Sequence, residues 1–383
     1  MTDLLSGEDL RLLVQRVFQP RPDDRGLLLM VDVPDGRLPD HENWRARRTM
    51  ATGWASALAA ERSALGLDRV TLAWYRNAGS NNADLPATAV LGEPGRVPDH
   101  ADELDGRDAV PFADLFAEHS LVMAPTELSA TAPLKMATRA GGFRAATMPG
   151  FLPSMIPALR LDYTEINRRV NLLKDLCDAS ERAVVVTETD LGRHELVLDL
   201  RHRVGHASGG LFPENGVAGN LPSGEAYIVP YEGELEGDES RTAGELPVQL
   251  GDELALLSIA GNRVVEVRGD GATVAGERDH FEREPAYRNV AELGLGVLGD
   301  FGLQPTGTIL LDEKLGLHVA FGRSDHFGGI VGPDDFSSPE AVIHLDRVYI
   351  PETQPRVKVQ EVRLEGAEGV MTVILDGHYT GVF

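Results

Sequence analysis

The sequence predicts an α/β N-terminal domain with a parallel sheet, followed by a β-rich α+β C-terminal domain. In the first half, apolar runs of strand length alternate with segments of helical periodicity, as in an open parallel sheet. After about residue 180, glycines and turn residues become frequent and helical patterns become sparse. We therefore place the domains at residues 1–180 and 181–383, since 383 residues suit two domains.

The N-terminal elements follow from apolar periodicity. A helix is predicted from Ser6, with one apolar stripe, and Pro20 stops it. A long helix is expected at about residues 41–65, and Thr126 is expected to be a helix N-cap. Strands are predicted at residues 27–33, 69–75, 121–124 and 144–148.

The C-terminal half begins after a helix predicted at residues 162–179, which carries Cys177 on its apolar side. Residues 233–246 are polar and are predicted to form a loop. Strands are predicted at residues 184–187, 195–200, 226–229, 306–311 and 342–350.

Composition excludes several classes of partner. With 36 basic and 60 acidic residues the formal charge is −24, which argues against a nucleic-acid or anionic-membrane surface. No stretch approaches the roughly 20 apolar residues of a membrane span, and the N-terminus has no basic region followed by an apolar run. The single cysteine allows no internal disulfide. These features predict a soluble, cytoplasmic protein.

The segment His344-Leu345-Asp346 has the sharpest local pattern. Side chains two apart on a strand share a face, so His344 and Asp346 point the same way inside an apolar stripe. A carboxylate buried there needs a partner. A metal ion and a structural His–Asp hydrogen bond fit the pattern equally well.

Other acidic residues and a second histidine accompany this pair. Glu313 and His318 lie in a glycine-containing stretch, Glu292 precedes a Leu-Gly-Leu-Gly run, and Glu225 follows a Pro-Ser-Gly turn. Taken singly, each carboxylate also fits a charged turn or a cap. The glycines after Glu292 allow another part of the chain to approach the backbone closely.

Taken together, these segments resemble the aminopeptidase T family of thermophilic metallo-aminopeptidases. The resemblance rests on four short motifs in family order, all in the second half: residues 220–230, 291–296, 311–322 and 344–346. In that family a catalytic domain with two metal ions follows an N-terminal α/β domain, and the protein is a homodimer.

The resemblance implies a peptide or amide substrate and two divalent ions, which would be zinc, cobalt or manganese. Glu292 would be shared between the two ions, and Glu313 would handle the proton of the attacking water. The implied metal ligands are Glu225, Glu292, His318, His344 and Asp346.

One position departs from the family pattern. Where the family has a tyrosine expected to face the active site, this chain has Asp325, followed by His326. A phenol can donate a hydrogen bond to a developing oxyanion, whereas an ionised aspartate cannot. His326 is the candidate replacement donor.

Two alternatives stay open at this point. A related branch, the 2,5-dihydroxypyridine dioxygenases, uses a single iron, and His318, His344 and Asp346 could supply two imidazoles and one carboxylate. The additional carboxylates of Glu225 and Glu292 favour two hard divalent ions instead. The other alternative is a non-catalytic binding protein on the same scaffold, supported by Asp325.

Overall fold

The structure is a computed structural model that describes residues 4–383. The first three residues of the N-terminal segment considered above lie outside the described residues. The helices of the described chain are α1 Gly7–Phe18, α2 Glu42–Glu61, α3 Phe112–Glu118, α4 Thr131–Gly141, α5 Ile156–Leu159, α6 Tyr163–Asp178, α7 Ala272–Arg283 and α8 Ile309–Asp312.

The strands of the first half are β1 Gly26–Val33, β2 Arg69–Arg76, β3 Thr88–Leu91, β4 Ala109–Pro111, β5 Leu121–Ala124, β6 Arg144–Thr147, β7 Arg182–Thr189 and β8 Gly192–Asp199. The remaining strands are β9 His206–Ser208, β10 Ala218–Asn220, β11 Glu225–Ile228, β12 Ala243–Leu250, β13 Glu253–Ala260, β14 Arg263–Arg268, β15 Val290–Gly296, β16 Leu317–Gly322, β17 His344–Val348, β18 Lys358–Gly366, β19 Gly369–Leu375 and β20 His378–Tyr379.

The chain divides into two compact units. Unit 1 contains the residues up to Asn167 together with Ser208–Ser223, and unit 2 contains Arg168–Ala207 together with Gly224–Phe383. The chain therefore crosses between the units more than once, and the first crossing falls within α6. The division into domains at residues 1–180 and 181–383 stays a prediction.

Unit 1 is built on a sheet with the strand order β10-β6-β5-β1-β2-β3-β4. The pairs from β10 to β2 are parallel, and β3 and β4 add an antiparallel edge. Every residue of β1 is buried, as its continuous apolar run predicts for a central parallel strand. The α/β class is confirmed, and the described sheet is mixed at one edge.

Most predicted elements of unit 1 are present. Ser6 caps α1 by accepting from the backbone N–H of Asp9, and α1 ends at Phe18 before Pro20. Thr126 is not a helix cap, because α4 begins at Thr131. Instead the Asp32 carboxylate accepts from the backbone N–H groups of Glu127 and Leu128, which holds this segment as a loop.

A buried ion pair joins the first residue of β6, Arg144, to Asp24. The guanidinium of Arg144 donates to both carboxylate oxygens of Asp24, at 2.8 and 2.6 Å. Burial would raise the pKa of Asp24, but the hydrogen bonds and charge of Arg144, together with the backbone N–H and charge of Arg21, outweigh burial, and the pKa is lowered. Asp24 is therefore a buried charged group whose main partner is Arg144.

Unit 2 is β-rich, which confirms the predicted class of the second half. One sheet has the order β14-β13-β12-β8-β7-β18-β19-β20, and a second has the order β17-β16-β15-β11-β9. Most neighbouring strands in these sheets pair in antiparallel fashion, for example β11 with β15 and β15 with β16. Cys177 of α6 is buried, as its place on the apolar side of the helix predicts.

Two expectations for unit 2 are wrong. Residues 306–311 form a turn and the start of α8 rather than a strand, because the Asp312 carboxylate accepts from the backbone N–H groups of Thr306 and Gly307. Gly307 has φ +77, which an extended strand does not allow. The predicted loop at residues 233–246 ends early, since Ala243 already begins β12.

None of the helices in residues 4–383 combines the length and the apolar character that crossing a membrane requires.

Candidate metal centre

The candidate site is built on one face of the sheet that contains β15. Alternate residues of a strand share a face, so Glu292 and the two glycines that follow it lie on the same side of β15. β15 lies between β11, which begins with Glu225, and β16, which carries His318. β17 pairs with β16 and adds His344 and Asp346. Four neighbouring strands thus contribute to one surface.

Glu292 lies at the centre of this surface. Its Oε1 is 3.2 Å from Nε2 of His318, and its Oε2 is 3.3 Å from Nε2 of His344. Ligand atoms of Glu225, Glu292 and His318 lie within 4.8 Å of one another, and so do those of Glu292, His344 and Asp346. The structure brings the five residues with metal-ligand character together, and Glu292 belongs to both groups.

The glycines of β15 make this arrangement sterically possible. A Cβ on Gly294 would overlap the His318 ring, with even the third-nearest ring atom, Cδ2, only 2.5 Å away. A Cβ on Gly296 would lie 2.7 Å from the carbonyl oxygen of Glu313. The Leu-Gly-Leu-Gly run therefore lets the His318 ring and the turn carrying Glu313 lie directly on the strand. This is the close approach that the glycines predict.

The carboxylates of this surface raise the pKa values of the two imidazoles. Burial would lower the pKa of His318, but its hydrogen bond to Glu292 and the surrounding carboxylates raise it to about 9. Burial would likewise lower the pKa of His344, but Asp346 and Glu292 raise it well above its ordinary value. The carboxylates therefore favour a positive charge on or beside the two Nε2 atoms.

The orientation of His344 suits ligation through Nε2. Its Nδ1 donates to the backbone carbonyl of Arg323 at 2.7 Å, which leaves Nε2 directed at Glu292 and Asp346. A backbone carbonyl on the second nitrogen is the usual support for a metal-binding histidine. The donor chemistry, the room made by Gly294 and this support all fit divalent ions.

Glu313 lies next to this surface on the turn after α8. Burial raises the pKa of Glu313 to about 8, with Lys314 opposing the shift and the charges of Glu225 and Asp346 adding to it. Among the described residues, Glu313 is part of neither ligand group. Its position therefore suits proton transfer rather than ligation.

Lys314 is a functional candidate that sequence reasoning missed. Its side chain is fully buried, and Nζ lies 3.2 Å from Glu225 Oε1 and also contacts the Glu313 carboxylate. Burial would lower the pKa of Lys314, but the two carboxylates raise it, so the ammonium stays charged. The apolar residues around the Asp-Glu-Lys sequence were the available signal that this turn is buried.

Asp325 and His326 differ in their contacts, although both side chains are 35% exposed. Oδ1 of Asp325 accepts from Nε of Arg323 at 2.6 Å. The ring of His326 is tilted against that of Phe327, with 3.8 Å between the ring centroids, and lies 5.3 Å from that of His344. Burial, helped by the charge of His344, lowers the pKa of His326 to about 4, so this imidazole is neutral at pH 7.

Tyr227 was also missed. It is two residues from Glu225 on β11, so both side chains lie on the face that carries Glu292. Burial raises the pKa of Tyr227, and the charges of Glu292, Glu225 and Glu313 raise it further. The strand predicted at residues 226–229, extended back to Glu225, would have placed this phenol on the same face as Glu225.

Comparisons with known proteins agree at the level of the fold. No protein-family model matches the chain, and no curated protein sequence matches it. A 2,5-dihydroxypyridine dioxygenase from Pseudomonas putida KT2440 is similar with a TM-score of 0.61 at 15% identity, over 98% of each chain. Wild-type AmpT from Thermus thermophilus is similar with a TM-score of 0.56 at 14% identity, again over 98% of each chain.

These likenesses extend over nearly the whole chain, so this protein shares its two-part fold with both enzymes. At such identities the likeness shows the fold alone. The chemistry must therefore be argued from the side chains around Glu292.

Proposed function

We propose that this protein is a metal-dependent hydrolase of peptide or amide bonds that uses two divalent ions. The observation that supports this most is the sharing of Glu292 between two groups of possible ligands. Each group has one imidazole and two carboxylates, and carboxylate-rich sets suit hard divalent ions such as manganese as well as zinc and cobalt. A shared carboxylate is the geometry expected of a bridged pair.

The buried charges support the same proposal. Glu225, Glu292, Glu313 and Asp346 provide four carboxylates, whereas Lys314 is the one ammonium in contact with them among the described residues. Buried carboxylates are costly unless cations or hydrogen bonds compensate them. Two divalent ions would supply the positive charge that these carboxylates favour.

The residues have distinct roles in the proposed reaction. When bound, the ions would supply an acidified water and polarise the scissile carbonyl. The positive charge of bound ions would lower the pKa of Glu313, whose carboxylate then accepts the proton of the attacking water and returns it to the leaving amine nitrogen. Lys314 holds the Glu225 and Glu313 carboxylates together, and the carbonyl of Arg323 fixes the direction of His344.

A second candidate is an iron-dependent ring-cleaving dioxygenase, which the likeness to the dihydroxypyridine enzyme supports. That chemistry uses two imidazoles and one carboxylate on a single ion. Here His318 and His344 fall in different ligand groups of the described chain, each with Glu292. This grouping supports the proposal of two ions. The homodimer and the cytoplasmic location stay predictions.

The proposal is tested with metal-depleted protein that is reloaded with zinc, cobalt or manganese and offered short peptides and aminoacyl amides. We expect release of free amino acids, and we expect Glu313→Gln to lower kcat by ~10²–10⁴-fold with its metal content unchanged. Glu266→Gln is the matched control, because Glu266 is an exposed partner of Arg268 on β14.

Two results would contradict the hydrolase. The first is a fully metallated protein that turns over no peptide or amide. The second is oxygen uptake with a dihydroxypyridine by the iron-loaded protein, which would favour the dioxygenase. Metal binding without either reaction would support the third alternative, a non-catalytic binding protein.

A further inference from the structure

Tyr227 occupies a central position on the face that carries Glu292. On β11 it pairs with Gly294 of β15, and Gly294 pairs with His318 of β16. Tyr227, Gly294 and His318 therefore form one row across three strands. Because the middle position has no side chain, nothing from β15 stands between the phenol and the imidazole in this row.

The Tyr227 ring is held by two aromatic neighbours. His206 stacks on it at 5.1 Å with an interplanar angle of 21°, and Phe327 meets it edge-on at 4.8 Å and 62°. His206 Nε2 also donates to the backbone carbonyl of Phe327 at 2.9 Å, so the two neighbours are tied to each other. We call His206 and Phe327 the aromatic clamp of Tyr227. The Phe327 ring lies 5.5 Å from that of His344, so the clamp is next to one of the proposed ligands.

The hydroxyl of Tyr227 has no structural partner to account for its position. Within residues 4–383 no hydrogen bond joins it to another side chain or to the backbone. Tyr227 is half-buried, and its hydroxyl is open to solvent rather than enclosed in the core, so a bound molecule can reach it. A phenol O–H is a hydrogen-bond donor. A molecule bound on this face can therefore supply the acceptor.

We infer that the Tyr227 hydroxyl donates a hydrogen bond to the carbonyl oxygen of the substrate as that oxygen becomes an oxyanion. The inference rests on the proposed hydrolase. As the water oxygen bonds to the carbonyl carbon, the electron pair of the C=O bond moves onto oxygen, where Tyr227 stabilises it without giving up its proton. Glu313 takes the proton of the water, the C–N bond breaks, and that proton leaves on the amine.

This assignment fits the surroundings of the other candidate donors. Asp325 is engaged by Arg323 and offers no donor when ionised. The Nδ1 of His326 lies 3.5 Å from Oδ1 of Asp325. Tyr227, fixed by its clamp and without another partner, is better organised in advance to receive developing charge.

The test compares Tyr227→Phe with the unmodified protein, both loaded with zinc. Losing one oxyanion donor should lower kcat by ~10²–10³-fold with little change in KM. The affinity for an aminoalkyl phosphonate, a tetrahedral anion, should fall by ~10-fold or more, measured by calorimetry, because that anion presents the same oxygen to the phenol. Metal content should be unchanged, and the midpoint of thermal unfolding should be unchanged or higher, since no protein hydrogen bond is lost.

Two variants serve as controls. Tyr231→Phe removes a buried hydroxyl of unit 2 that donates to the carbonyl of Asp238, and it should lower stability without changing phosphonate affinity. His326→Ala removes the rival donor and should affect kcat less than Tyr227→Phe does. A larger loss in His326→Ala, with Tyr227→Phe unaffected, would transfer the role to His326 and overturn the inference.

The outcomes separate this inference from the proposed function. If the unmodified protein hydrolyses amides and Tyr227→Phe keeps both kcat and phosphonate affinity, the inference alone is overturned. If metal is lost in Tyr227→Phe, the hydroxyl supports the ligands and the inference is again overturned. If no amide is hydrolysed but phosphonate binding depends on Tyr227, the hydroxyl donates to a bound anion, whereas the hydrolase proposal fails and the catalytic step assigned to Tyr227 fails with it.

Discussion

Gly294→Ala is the smallest change that should disable half of the candidate centre. The added carbon would lie 2.5 Å from Cδ2 of His318, and two further ring atoms would be closer. An ordinary carbon contact begins at 3.4 Å, so the ring must move by at least 3.4 − 2.5 = 0.9 Å. Metal-ligand distances tolerate only about 0.2 Å. His318 therefore cannot keep a ligating position in this variant.

The expected loss of affinity follows from that displacement. Removing an outer partner of a ligand already costs about 10–100-fold in metal affinity. Displacing the ligand itself should exceed this, so we expect Gly294→Ala to weaken binding of one of the two ions by more than about 100-fold. Overpacking should also lower the free energy of unfolding by about 1–3 kcal/mol.

The assay is a competition between the protein and a chelator of known affinity, with circular dichroism as a check on folding. Gly276→Ala is the matched control, because Gly276 lies in α7 and an added carbon there meets nothing within 4 Å. The control should bind metal normally and gain about 0.5–1 kcal/mol of stability. A folded Gly294→Ala protein with full metal affinity would refute the role of His318 as a ligand.

Three further predictions concern the charges. His344→Ala and Asp346→Ala should each lower the metal content more than Glu313→Gln does, as measured by elemental analysis; a full complement in either alanine variant would contradict the ligand assignment. Lys314→Met should destabilise the metal-free protein by about 3–5 kcal/mol in urea unfolding, because it leaves buried carboxylates without their ammonium. Asp24→Asn should cost a similar ~3–5 kcal/mol at pH 7, since it leaves the buried Arg144 guanidinium without its carboxylate.

The pH dependence of the Asp24 contribution has a defined sign. Its pKa is lower in the folded than in the unfolded chain, so its stabilisation is present above the unfolded value of 3.8 and is lost as pH falls below it. Unfolding curves of the unmodified protein and of Asp24→Asn should therefore converge on acidification. As a control, Asp105→Asn breaks an exposed pair with Arg76 and should cost no more than about 1 kcal/mol. A difference between the unmodified protein and Asp24→Asn that stays constant down to pH 3 would contradict the assignment.

Local patterns were sufficient where short-range physics decides the structure. The apolar run of β1 and the stripe of α1 predict a covered strand and a packed helix, and both are present. The alternation in residues 342–350 placed His344 and Asp346 on one face, and the glycines after Glu292 indicated a close approach.

The failures share one physical cause, which is a contact made by residues distant in sequence or by an unexpected turn. Thr126 has the composition of a cap, yet Asp32, far along the chain, binds the backbone next to it and delays the helix. In the sequence, Lys314 has the pattern of a surface charge. In the structure, the pairing of β11 with β15 places Glu225 in contact with it. Sheet register cannot be obtained from local periodicity, so Tyr227 could not be placed in the row with His318.

The number of divalent ions bound per chain tests the central claim most directly. Metal-depleted protein titrated with manganese or zinc in a calorimeter should bind two ions, because Glu292 completes both ligand groups. Saturation at a single ion in the folded, unmodified protein would contradict the shared role of Glu292 and, with it, the two-ion hydrolase.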